Sequence, residues 1–266
     1  QEDFVVREHL IALTAWIDGP KQKANWNVDI STGYDRFISH IFRGAYRYHY
    51  GFIDGLNRPQ QFFGGRTIYI AKDETKNWQG INLIILPIIK ITRYNQYNIE
   101  YNSDEIFSTT VHETSHNTHF MNLPAAISYL LVTAEIRESW ATGVEWWLTK
   151  LEYKNTRGIA NYGDWNYGID VGFPNRYAYQ YWELSDESSY TSLFINLLDD
   201  YNEFNQSFLN KNSGTVNDQV SGYKLADLET KVLPNVYWLN NLAAHLKLNK
   251  PNGVTDAQID ELLSYY

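Results

Sequence analysis

The chain has 266 residues and a mass of 31.1 kDa, with a formal net charge of −9 and a pI near 5.2. An acidic balance lacks the basic footprint of a nucleic-acid binder and offers no attraction to an anionic membrane surface. There is no cysteine, which excludes disulfides, a thiol nucleophile and thiolate metal sites, so any metal must be held by histidine and carboxylate. The length allows one large domain or two intimate lobes around a sizeable core. The chain begins at Gln1 without a signal-type apolar stretch. That leads us to expect a bacterial-type exported protein, secreted or at the cell surface, whose targeting segment has been removed.

Along residues 34–50, Phe37, Ile38, Ile41, Phe42, Ala45 and Tyr48 recur at helical spacing. Arg66–Ala71 and Ile81–Ile91 read as strands, rich in Ile and bounded by Gly64, Gly65 and Gly80. The second of these is the most apolar run of the chain, yet too short to span a bilayer. Pro87 cannot donate to a ladder, which points to an edge strand. Residues 1–101 are therefore expected to form an α+β lobe with a small mixed sheet. Residues 102–266 are expected to form a mainly helical lobe, the two making one catalytic unit.

Asn102 with Glu105 three residues on reads as a capping box, and no Gly or Pro interrupts Ser103–Phe120. Inside this stretch lies His112-Glu113-Thr114-Ser115-His116. On a helix, residues four apart sit about 40° apart around the axis, so both imidazoles project from one face and can share an ion. Glu113 lies about 100° to the side, placed to act on a water rather than on the metal. His119 shares the face, but about 10.5 Å of helix rise separates it from His112. With Zn–N bonds near 2 Å, one ion cannot take all three histidines on an unbroken helix.

Pro124 stands where a helix favours a start, and residues 125–154 read as one long helix interrupted only by Gly143. It carries Glu135, Glu138 and Glu145, each a possible third ligand for a His-His-Glu site with its fourth position left for water. Glu135 and Glu138 share a face, so one could ligate while the other holds it by a hydrogen bond.

An HExxH followed some twenty residues on by Glu138-Ser139-Trp140-Ala141 resembles the gluzincin metallopeptidases. It is most similar to the aminopeptidase-type pattern Asn-Glu-Gly-Phe-Ala. Arg137 and Ser139 stand where that pattern has Asn and Gly, and the thermolysin-like Glu-x-x-x-Asp is absent because Thr142 follows Glu138 by four. The resemblance covers residues 102–150. It implies a zincin-like α+β fold, Zn²⁺ held by His112, His116 and Glu138, and Glu113 as general base. In zincins the strand before the active-site helix is an edge to which an extended peptide adds, and Leu83–Ile91 is the expected place for it here.

Residues 155–190 read as an aromatic-rich loop. A metallopeptidase also needs a donor for the oxyanion, and Tyr190 and Tyr177 are the candidates. Asp164–Asp170 spaces three oxygen side chains in the manner of a calcium loop, but Gly168 and Ile169 break the EF-hand pattern. Helical patterns return at 192–205 and 225–246, and Thr255 with Gln258 forms another capping box. The expected function is zinc-dependent hydrolysis of a peptide or protein substrate, with Glu113 deprotonating the water that zinc activates. The alternatives are a glycan- or peptide-binding surface protein with a vestigial site, or a zinc hydrolase of a non-peptide bond.

Overall fold

The computed structural model describes residues 3–7, 33–51, 53–59, 66–83, 87–124, 126–162, 190–202 and 216–266. Among them are four strands in one mixed sheet and seven α-helices, a mixed α+β fold. The chain divides into two compact units. One comprises Gln1–Ile53 with Arg58–Thr118, the other Asp54–Asn57 with His119–Tyr266.

In the first unit, β1 (Phe4–Arg7), β2 (Thr67–Thr75), β3 (Gly80–Leu83) and β4 (Ile88–Tyr94) form a sheet in the order β1-β2-β4-β3. The first three neighbours in that order run parallel, and β3 is antiparallel to β4. The two-residue period of a strand sorts the side chains. Phe4 and Val6, Tyr69 and Ala71, and Ile89 and Ile91 share a core with Phe37, Ile38, Ile41 and Ala45 of helix α1 (Gly33–Tyr50) and with Ile106. Each fully buried aliphatic or aromatic side chain here stabilises the fold by about 1.5–3 kcal/mol. Helix α1 matches the periodicity of residues 34–50.

The run Ile81–Ile91 is not one edge strand. It holds β3 and β4, which pair back on each other, while residues 84–86 lie outside the described residues. β4 is interior, flanked by β2 and β3. Pro87 stands just ahead of it, where a missing N–H opens no gap inside the ladder, and its carbonyl accepts from Ile68 N at 2.7 Å. Among the described residues, β3 ends the sheet on that side. Its register sets Gly80 opposite Ile91 and Asn82 opposite Ile89. Opposed residues of an antiparallel pair point to the same face, so Gly80 and Asn82 lie on the helix-covered side.

Helix α2 (Ser103–Asn122) opens with one half of the expected capping box, Asn102 N donating to Glu105 Oε2 at 2.6 Å. A Cβ added at Gly44 of α1 would lie 2.9 Å from Thr110 Cβ, so the Thr110 side chain of α2 packs directly on the Gly44 backbone. The sequence groups α2 with the helical half, whereas all but its last turn belongs with the sheet.

In the second unit, Pro124 does not start a long helix. Ala126–Leu131 forms a 3-10 turn, and α3 begins at Ala134, runs to Lys150 and continues as a π-helical turn through Leu151–Thr156. Helix α4 (Leu193–Leu198) is shorter than the pattern over 192–205. The pattern over 225–246 is broken into α5 (Leu225–Asp227), a π-helical segment Leu228–Val232, a 3-10 turn Leu233–Asn235 and α6 (Leu239–Leu248). Pro234 lacks the N–H an α-helix needs there, which is why the turn tightens and stops. Helix α7 (Asp256–Leu263) opens with the expected box, Thr255 N donating to Gln258 Oε1 at 2.8 Å and Gln258 N to Thr255 Oγ1 at 3.3 Å. Of the loop over 155–190, residues 163–189 lie outside the described residues, and with them Asp164–Asp170 and Tyr177. Among the described residues, no helix is long and apolar enough to cross a membrane.

Gly143, an apparent defect in α3, has a packing reason. A Cβ there would lie 2.7 Å from Phe194 Cβ, and Trp140 meets the Phe194 ring edge-on at 5.5 Å. Helix propensity alone favours Gly143→Ala by about 1 kcal/mol. Overpacking costs about 1–3 kcal/mol, so we expect net destabilisation, read as a lower urea midpoint at unchanged slope.

Candidate metal centre

Every residue of α2 from Ile106 to Phe120 is buried, although most of them are polar. A buried polar group costs about 1–3 kcal/mol when unpaired, so the helix must satisfy itself or its neighbours. Part of the answer is local. Thr110 Oγ1 donates to Ile106 O, Thr114 Oγ1 to Thr110 O, Ser115 Oγ to His112 O and Thr118 Oγ1 to Ser115 O, at 2.6–2.9 Å. Another part comes from the sheet and α1. Tyr69 OH is 2.8 Å from Thr114 Oγ1, and Tyr48 OH is 2.8 Å from Thr118 Oγ1.

The protons in this chain can be assigned. Thr114 gives its hydroxyl proton to Thr110 O, so the Tyr69 hydroxyl donates to Thr114. Tyr69 O is then free to accept from His49 Nε2, 3.2 Å away. His49 is thus the neutral Nε2–H tautomer, and its Nδ1 has no hydrogen-bond partner among the described residues. Burial, and secondarily the Arg58 charge, pulls its pKa down to about 3. Burial likewise raises the Tyr69 phenol above its usual value, keeping it a donor.

At 100° per residue, Thr114 and Thr118 lie about 200° and 240° around the helix from His112. Pinning them to Tyr69 and Tyr48 turns His112 and His116 to the opposite side. The two rings meet edge-on with centroids 4.9 Å apart, both residues buried. Glu113, also buried, faces β3. Asn82 Nδ2 of that strand donates to Glu113 O at 2.5 Å and to Asn117 Oδ1 at 2.9 Å.

One group of side chains among the described residues could hold a metal ion: His112, His116 and Glu138, with one candidate ligand atom from each all within 4.8 Å of one another. Tetrahedral zinc with bonds of 2.0–2.2 Å sets its ligand atoms about 3.4 Å apart, inside that bound. Two imidazoles and one carboxylate, with no thiolate, form a donor set of the catalytic rather than the structural kind. The three residues form a group that could hold a metal ion.

Glu138 is half-buried on α3, and its carbonyl accepts from Thr142 Oγ1 at 2.8 Å. Glu135, in the first turn of α3, is exposed, and Glu145 is buried further along; neither is in the group. His119 is also outside it. α2 is unbroken to Asn122, and the His119 ring packs edge-on against Tyr129 at 5.3 Å. Tyr190 is 39 % exposed and directly precedes Thr191, whose Oγ1 lies 2.6 Å from Ser139 Oγ, next to Glu138 in α3. The sequence reading missed His49, Tyr69, Gly80 and Asn82. Only Asn82, a lone amide in an apolar run, carries a local signal.

Compared with known proteins, the chain matches no family model, no curated protein and no solved structure.

The His49 assignment sets a pH dependence. Its folded-state pKa lies below its unfolded value near 6.5, so the unfolded chain binds the extra proton and stability falls as pH drops through 6.5 toward about 3. The slope from one proton is about 1.4 kcal/mol per pH unit. Urea unfolding at pH 7, 6 and 5 should show a shallower decline in His49→Phe than in the parent; equal slopes would contradict the neutral buried imidazole.

Proposed function

We propose that the chain is a zinc-dependent peptidase of gluzincin type. The observation that carries this reading is the convergence of His112, His116 and Glu138, with Glu113 one residue from the first ligand and buried against the sheet edge. His112, His116 and Glu138 would hold the zinc ion, which would supply a Lewis acid for the scissile carbonyl and for a water molecule. The chain's own residues do the rest. Glu113 takes the proton of the attacking water and delivers it to the leaving amine. Burial of both histidines and of Glu113 limits competing bulk water and strengthens each electrostatic contact.

The substrate runs along β3. This strand ends the sheet among the described residues, and an extended peptide adds to such an edge through main-chain hydrogen bonds. Leu83, 39 % exposed, offers an apolar contact at its end. Tyr190 donates to the oxyanion, a role supported by its place beside Thr191, which is bonded to the residue following Glu138.

Elemental analysis of the purified protein should find one zinc per chain. Glu138→Ala should lose the metal on dialysis. Glu113→Gln should keep it and lower kcat on fluorescein-labelled casein by a factor on the order of 100 or more. Full activity in Glu113→Gln, or a parent protein that takes up no zinc, would refute the reading.

A further inference from the structure

The reaction needs more than the presence of Glu113. A base on a helix next to its own metal ligand can swing toward the ion or away from the water, and its carboxylate must be held at one place. The described residues on β3 bear on this directly. A Cβ added at Gly80 would lie 2.6 Å from Glu113 Oε1 and 2.7 Å from its Cγ, and 2.6 Å from Thr109 Cγ2. Real Cβ atoms do not approach so closely. The Glu113 carboxylate therefore lies flat against the strand backbone, in the volume that any other residue's side chain would fill.

Two residues along the same strand and on the same face, Asn82 uses its amide group to span one turn of α2. It donates to Glu113 O at 2.5 Å and to Asn117 Oδ1 at 2.9 Å. The Glu113 carbonyl points down the helix, so this contact fixes the height of residue 113 against the strand. The Gly80 contact fixes its carboxylate.

We propose that Gly80 and Asn82 of the edge strand are positioning residues that hold Glu113 for its proton-transfer role. Gly80 provides a backbone wall without a side chain, and Asn82 locks the register of strand and helix. The inference rests on the peptidase reading for what Glu113 does, but the contact it describes lies wholly within the first unit and can be tested apart from it. A strand that carries the substrate and also aligns the base couples the two: the peptide is laid beside a carboxylate already at its working position. Since a misplacement of about 1 Å can cost on the order of 100-fold in rate, small changes on this strand should show in kcat.

The test uses the full chain loaded with zinc, labelled casein as probe, and the variants Gly80→Ala and Asn82→Ala in the parent and in the Glu113→Gln background. In the parent, each should lower kcat by about 10–100-fold, with KM within about twofold and zinc affinity, measured by chelator competition, within about threefold. In the Glu113→Gln background neither should lower the residual rate further, because both act through that carboxylate. A Gly80→Ser variant should be no better than Gly80→Ala, since the obstacle is the Cβ itself. An unchanged kcat in both single variants would overturn the proposal. So would full recovery of kcat in the pair Gly80→Ala, Thr109→Ser, which would make the Thr109 methyl the displaced group. A general structural role would instead reduce zinc affinity and lower the rate in both backgrounds. A parent that binds no zinc, or is fully active as Glu113→Gln, would sink the peptidase reading. In that event the steric part is still decided by melting temperature: Gly80→Ala should cost less in Glu113→Ala than in the parent, and an equal cost in both would show that the carboxylate is not the group in the way.

Discussion

The structure depends on the burial of a polar helix. From Ile106 to Phe120 no residue of α2 is exposed, yet that stretch carries threonine, serine, histidine, glutamate and asparagine. Removing such groups from water is unfavourable unless each finds a partner. The partners come from all around the helix: its own carbonyls, the Tyr69 and Tyr48 hydroxyls on one side, and the Asn82 amide on another. These bonds together fix the rotation of α2 about its axis. That rotation turns His112 and His116 away from the sheet and lays Glu113 against β3.

This explains why the site is built on a sheet as well as on a helix. Two histidines four apart need only a helix to share a face. The Glu113 side chain has rotamer freedom that a helix cannot remove, and β3 limits it: a Cβ at Gly80 would lie 2.6 Å from Glu113 Oε1. β3 is held in turn by β4, an interior strand of a four-stranded sheet. The buried His49–Tyr69–Thr114 chain serves the same end from the other side, with every proton assigned and the imidazole neutral.

Much of the local structure was legible in the sequence. The bond from Asn102 to Glu105, the box at Thr255–Gln258 and the periodicity of α1 depend on residues three or four apart, and such contacts form whatever the rest of the chain does. The misreadings have a common cause. Ile81–Ile91 shows continuous apolar character, but only pairing partners reveal that the chain reverses within it. Residues 125–154 and 225–246 keep helical patterning, while the backbone tightens to 3-10 at Ala126–Leu131 and at Leu233–Asn235. Gly143 looked like an interruption, and packing against Phe194 makes it a requirement.

The sequence by itself determined the donor set: two histidines on one helical face, a glutamate at their side, and no cysteine to compete. It also bounded the third ligand, because helix rise keeps His119 from joining His112 on one ion. Choosing among Glu135, Glu138 and Glu145 was beyond periodicity, since all three lie on one helix and differ only in what that helix faces. Tertiary structure groups Glu138, not Glu135 or Glu145, with the two histidines as residues that could hold a metal ion. It also decided that β3 rather than β4 ends the sheet among the described residues, and that Gly80 and Asn82 lie against Glu113. These contacts join separate elements of the chain, Gly80 and Asn82 with a helix residue more than 30 positions on, and no pattern within one element encodes them. They arise when buried polar groups must find partners, and only the folded chain offers them.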